Sequence, residues 1–113
     1  MSDHPLRSIA DALIAATNAP DADAVVALFT PDAVIDDPSA GLRFDDHAGI
    51  RSYVERFFIG YHTVTRFLSI VPLSDGRARV RVDLTGDFGH EIGRLDLTVG
   101  ANRRITRIDA DLE

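Results

Sequence analysis

Asp36 and Asp37 stand side by side after the short apolar run Ala33-Val34-Ile35 and immediately before Pro38. In an extended strand, neighbouring side chains face opposite ways, so one of these carboxylates points to the core and the other to solvent. Ile35 is the better core residue and Asp37 shares its face, which makes Asp37 the inward member and Asp36 the solvated one. An inward carboxylate is costly unless paired or hydrogen-bonded, so it marks either a satisfied structural network or a functional pocket. That makes the inward carboxylate the best chemical lead in the chain.

Composition narrows what else the chain can do. It has 113 residues, enough for one core, and is read as a single domain over residues 1–113. There is no cysteine, which removes disulfides, thiolate nucleophiles and Cys-ligated metals. There is no lysine either; all twelve basic residues are arginine, so Schiff-base chemistry is excluded. Glycine-rich phosphate loops and a nucleophile-elbow serine are also missing. Carboxylates, four histidines, two tyrosines and arginine remain. A net charge of −6 argues against nucleic acid and against an anionic membrane surface as partners. With no basic-apolar leader pattern and no apolar run of about 20 residues, the chain is expected to be cytoplasmic and not to span a membrane. Asp37, His62 and His90 match no metal-ligand spacing, and no metal is expected.

The elements that position Asp37 follow from periodicity. Leu6, Ile9, Ala10, Leu13 and Ile14 recur on one helical face, from a start at Asp3 or His4 before Pro5 to an end near Asn18. Asp21 can cap a second, shorter helix burying Val25, Val26, Leu28 and Phe29. A short strand, Ala33 to Ile35, delivers the aspartates; Pro38 to Phe44 reads as loop. Asp45 or Asp46 then caps a third helix with Ile50, Tyr53, Val54, Phe57 and Phe58 on one face, stopped by Gly60. From there the pattern alternates. Val64 to Leu73 is apolar on both faces, with Phe67, Val71 and Leu73 on one and Val64, Leu68 and Ile70 on the other. After an Asp75-Gly76 turn, Ala78, Val80, Val82 and Leu84 alternate with Arg77, Arg79, Arg81 and Asp83. That arginine row is read as the wet face of a strand, paired across to acids. A strand with Leu95, Leu97 and Val99 inward follows. The last strand runs from Ile105 to Leu112, with a bulge between Ile105 and Ile108.

This is an α+β pattern: three N-terminal helices filling the concave face of a curved antiparallel sheet, with an apolar pocket between them. The two-sided apolar strand implies that the outer sheet face is covered, most simply by a second copy of the chain.

The order of elements, with Leu28-Phe29-Thr30-Pro31-Asp32-Ala33-Val34-Ile35-Asp36-Asp37-Pro38 and then His47-Ala48-Gly49-Ile50-Arg51-Ser52-Tyr53, resembles the nuclear transport factor 2-like superfamily. Within it the sequence is most similar to SnoaL-like polyketide cyclases and ketosteroid isomerases. The resemblance implies a cone-shaped, cystatin-like roll. It puts Asp37 at the place of the isomerase general base, next to Pro at the end of the first strand. The enolate-stabilising donors of the isomerases fall on Leu13 and Leu95 here, so a steroid isomerase proper is not expected. A second likeness, to dehydratases such as scytalone dehydratase, implies that His62 at the start of the long strand faces the pocket as partner acid or orienter, with His90 near its mouth.

The sequence therefore predicts a SnoaL-like small-molecule protein, a cofactor-free isomerase, cyclase or dehydratase of a small hydrophobic carbonyl compound. Asp37 and His62 are the expected catalytic pair; Leu13, Tyr53, Phe57, Val82, Leu84 and Leu95 are the expected pocket wall. The rival reading is a non-catalytic ligand-binding or dimerisation module of the same fold.

Overall fold

The computed structural model describes residues 5–38, 41–100 and 102–113. Helix α1 (Arg7–Asn18) presents Ile9, Ala10, Leu13, Ala16 and Thr17 to the interior. Its start falls two residues later than Pro5 suggests; the expected caps Asp3 and His4 lie outside the described residues. Helix α2 (Ala22–Val26) is capped as expected, the Asp21 carboxylate accepting from the Ala24 amide at 3.0 Å. Strand β1 (Phe29–Asp37) extends four residues further back than the apolar run Ala33 to Ile35.

The stretch Pro38 to Phe44 is not all loop. Leu42–Asp45 forms β2, which runs antiparallel to β1 with Asp37 opposite Leu42 and Val34 opposite Asp45. Helix α3 (Asp46–Val54) follows at once, and Asp46 supplies the cap, accepting from the amides of Ala48 and Gly49 at 3.0 and 3.2 Å. The helix then widens into a π-turn, Glu55–Ile59, closed by the Gly60 amide on the Glu55 carbonyl at 2.8 Å.

Strands β3 (Val64–Ser74), β4 (Arg77–Gly86), β5 (Gly89–Val99) and β6 (Ile105–Leu112) complete a six-stranded sheet of order β2-β1-β6-β5-β4-β3. All neighbours are antiparallel except β1 and β6, which run parallel with Ile35 beside Ile108. The predicted bulge in β6 is present: Val99 faces Ile105 and Thr98 faces Arg107, leaving Thr106 between them. A second irregularity alters the expected faces of β3. Phe67 pairs with Val82 and Ser69 with Arg81, so Leu68 is the extra residue and the strand changes phase there. Phe67 consequently packs toward the core beneath the Arg7 guanidinium, 3.7 Å from its ring centre, instead of sharing an outer face with Val71.

The sheet curves around the helices, and its inner residues Ala78, Val80, Val82, Leu97, Ile108 and Ala110 close the core against α1, α2 and α3. The outer face carries ion pairs. Arg79 meets Asp96 at 2.8 Å, Arg81 meets Glu113 at 2.6 Å, and Arg107 meets Asp36 at 3.2 Å and Asp109 at 2.9 Å. The Arg79 guanidinium pulls the Asp96 carboxyl below its ordinary range, and Arg81 does the same for Glu113. The arginine row is thus a wet strand face, as its period of two suggested, with Arg79 and Arg81 answered by acids and Arg77 donating to Thr98 Oγ1 at 3.3 Å. Among the described residues no helix is long and apolar enough to cross a membrane.

Candidate active site

A cavity of about 300 Å³ lies between the inner sheet face, α1 and the α3 π-turn segment. Two features of the chain shape its wall. The π-turn places both Phe57 and Phe58 on the cavity wall. Gly93 sits buried on the inner face of β5, where a Cβ would come within 3.0 Å of Leu84 and 3.3 Å of Val82. All six side chains expected to form the wall do so: Leu13, Tyr53, Phe57, Val82, Leu84 and Leu95.

Asp37 ends β1 on its inner face. It is 7% exposed and lines the cavity, while Asp36 turns outward to Arg107. The Tyr53 hydroxyl donates to Asp37 Oδ2 at 2.9 Å. Burial chiefly, then the charge of Asp37 and this hydrogen bond, raise the Tyr53 hydroxyl well above its ordinary value, so it holds its proton and acts as a donor. The pairing depends on how α3 is seated against β1. One tether is the His47 ring Nε2, 3.0 Å from the Phe29 carbonyl. Another is a row of rings: Phe44 meets Tyr53 edge-on at 5.0 Å between centres, and Tyr53 meets Phe57 at 5.0 Å. The row continues through Tyr61, 6.0 Å from Phe57, to Phe88, 6.2 Å further on.

His62 does not take the place expected for it. It occupies the turn before β3 with a left-handed backbone (φ 53°), its side chain is 79% exposed, and Nδ1 lies 2.9 Å from Asp87. It is not among the residues that line the cavity. The physical reason is the phase of β3. Thr63 and Thr65 face inward while Val64 is 57% exposed, the reverse of what their polarity suggests. His90 is exposed too, turned to the outer face with Thr85 and hydrogen-bonded to Asp83. Among the described residues no group of three His, Asp or Glu side chains is arranged to hold a metal.

What sequence reasoning missed is the link between Asp37 and Tyr53. Tyr53 has core spacing on α3, and the only signal of a polar role was that its hydroxyl needs a partner when buried. Together the two side chains form an acid–base pair at the wall of an apolar cavity. The carboxylate can accept a proton from a bound carbon acid, and the phenol can steady the charge.

Residues 10–107 match the family profile described as the SnoaL-like domain. Among solved structures, a proposed polyketide cyclase from Sinorhizobium meliloti superposes with a TM-score of 0.83 at 24% identity, over 93% of this chain and 94% of that one. A proposed ketosteroid isomerase from Kribbella flavida gives 0.82 at 17% identity, over 95% and 76% of the two chains. A proposed SnoaL-like isomerase from Agrobacterium tumefaciens gives 0.76 at 16%, over 94% and 95%. These likenesses establish the fold. No curated protein matches the chain.

Proposed function

The chain belongs to the SnoaL-like domain family, and from that premise we propose that it carries out proton transfer on a small hydrophobic carbonyl compound, as a cofactor-free isomerase, cyclase or dehydratase. The observation that carries this reading is a buried carboxylate, Asp37, hydrogen-bonded to Tyr53 on the wall of a mainly apolar cavity. Asp37 removes a proton from a carbon next to the carbonyl, the electron pair moves onto the carbonyl oxygen as an enolate, and the proton is returned to the same or a neighbouring carbon. Tyr53 takes the donor role that the sequence suggested for His62. The aromatic and aliphatic wall holds the ligand and keeps water from competing for the proton.

The test is deuterium incorporation into β-tetralone, a bicyclic ketone with acidified α-hydrogens, followed by proton NMR in heavy water. The protein is expected to exchange those positions faster than the same concentration of acetate. Exchange no faster than acetate, with the ketone shown to bind, would favour the second reading, a non-catalytic ligand-binding module. That alternative has one specific support: Leu13 and Leu95 make the wall apolar where the isomerases place their enolate donors.

A homodimer through the outer sheet face belongs to the same proposal. Val64, Leu68, Val71 and Leu73 are exposed along β3 beside the charged ladder of β4 and β5, and a run of large apolar side chains is normally covered. Sedimentation equilibrium is expected to give twice the chain mass, and Val71→Arg to shift the protein to the monomer. A wild type that sediments as a monomer at micromolar concentration would remove this part of the proposal.

A further inference from the structure

Five hydroxyl side chains line the cavity, and Tyr61 among them is exposed. Of the other four, three are engaged within the protein. Thr17 Oγ1 donates to the Ile14 carbonyl at 2.9 Å, Thr63 Oγ1 to the Phe57 carbonyl at 2.6 Å, and Tyr53 to Asp37. The fourth, Thr65 Oγ1, has no hydrogen-bond partner among the described residues, although Thr65 is only 5% exposed.

Its placement is fixed from outside the cavity. β3 is an edge strand, and at Thr65 its free edge is filled by the Asn18 side chain at the end of α1. The Thr65 amide donates to Asn18 Oδ1 and the Thr65 carbonyl accepts from Asn18 Nδ2, both at 2.8 Å. This clamp uses only the backbone of Thr65 and would serve any residue there. Thr65 pairs with Leu84, a cavity residue, so its side chain stands on the inner face. Valine would give the same branched shape and strand preference with no hydroxyl removed from water. An unpartnered hydroxyl on a strand whose backbone is clamped, set in a mainly apolar wall, is an arrangement that recognises a polar group on a ligand.

We infer that Thr65 is a specificity-determining residue, a second polar anchor of the cavity, and that the ligand carries a hydrogen-bonding group remote from the end held at Asp37 and Tyr53. β1 and β3 are separated in the sheet by β6, β5 and β4, four strand spacings or about 19 Å along its curve, so the two anchors stand on opposite flanks. The assignment rests on the cavity being the ligand site of the proposed function and adds to it the ligand's second functional group. Glu91 and Asp111 are among the lining residues and no Arg or His is, Arg94 meeting Asp111 at 3.5 Å without lining the cavity itself, so the remote group is an uncharged hydroxyl or carbonyl and not an anion.

Calorimetric titration with two matched pairs tests this: β-tetralone against its analogue with a phenolic hydroxyl on the remote ring, and testosterone against its analogue without the remote hydroxyl. The wild type is expected to bind the hydroxylated member of at least one pair roughly three- to tenfold more tightly. Thr65→Val is expected to abolish that preference, leave binding of the hydroxyl-free member unchanged, and melt no lower than wild type. Thr65→Ser is expected to keep the preference. A wild type indifferent to the remote hydroxyl, or a preference that survives in Thr65→Val, overturns the assignment. The two readings fail separately: loss of ketone exchange with a Thr65-dependent preference intact would remove proton transfer and keep the anchor, and the converse would keep proton transfer and remove the anchor.

Discussion

Asparagine at position 37 is expected to slow deuterium exchange of β-tetralone by about 10³-fold, within the range general-base catalysis supplies, while leaving the fold and the binding of the ketone in place. The amide is nearly isosteric with the carboxylate, and its oxygen can accept the Tyr53 hydroxyl as Asp37 Oδ2 does. What the substitution removes is basicity. Burial, the largest cause of the raised Tyr53 value, is untouched, so the phenol stays protonated in the variant as well. A companion pH dependence follows. The Tyr53 hydroxyl binds its proton more tightly folded than at its ordinary value of 10.0, so the unfolded chain loses that proton first as pH rises. The stability conferred by the neutral phenol is therefore present below about pH 10 and lost above it. Exchange by Asp37→Asn at the wild-type rate, with binding equal, would show that the base lies elsewhere.

Phe29→Ala is expected to cost about 3–5 kcal/mol of folding free energy, the usual loss for a large aromatic removed from a core. Phe29 is fully buried where α2 passes into β1, and one side of its ring borders the cavity. Truncation would enlarge an existing space that its neighbours already fail to fill, so little relaxation can offset the loss. With a denaturation slope of 1–3 kcal/mol per molar urea and a total stability of about 5–15 kcal/mol, the midpoint should fall by about 2 M. A shift under about 0.5 M would mean that the cavity collapses around the smaller side chain.

The parts of the molecule written most openly in the residues are those with a long period. The helical face Leu6 to Ile14 and the alternation Ala78 to Leu84 each repeat often enough to exclude other readings, and both are found as expected. Asp37 was orientated by two residues of alternation, because Ile35 and Asp37 share a face and Ile35 belongs to the core. Leu42–Asp45 escaped notice because four residues are too few to show a period, and the strand forms only because β1 offers it an edge. His62 falls outside the cavity because its place there rested on a likeness of position at the start of the long strand, and a strand apolar on both faces does not tell which residues turn inward. The cavity calls threonines inward to a partly polar wall and leaves valine outside. The Asp37–Tyr53 pair joins residues 16 positions apart on a strand and a helix. Periodicity assigns each of them a face and says nothing about which residue it meets there.

The π-turn after α3 has a consequence for how relatives of this chain diverge. The bond from the Gly60 amide to the Glu55 carbonyl spans five residues, as does that from Thr63 to Phe58 just beyond, and each accommodates one residue more than an α-helical turn would. Deleting one residue between Val54 and Gly60 would let the segment return to ordinary α-helical winding and would re-seat Phe57 and Phe58 on the wall. The interior would then change shape with no substitution of a lining residue. In this segment the shape of the interior is written in the number of residues as much as in their identities, and a single-codon insertion or deletion is a short evolutionary route to a different one.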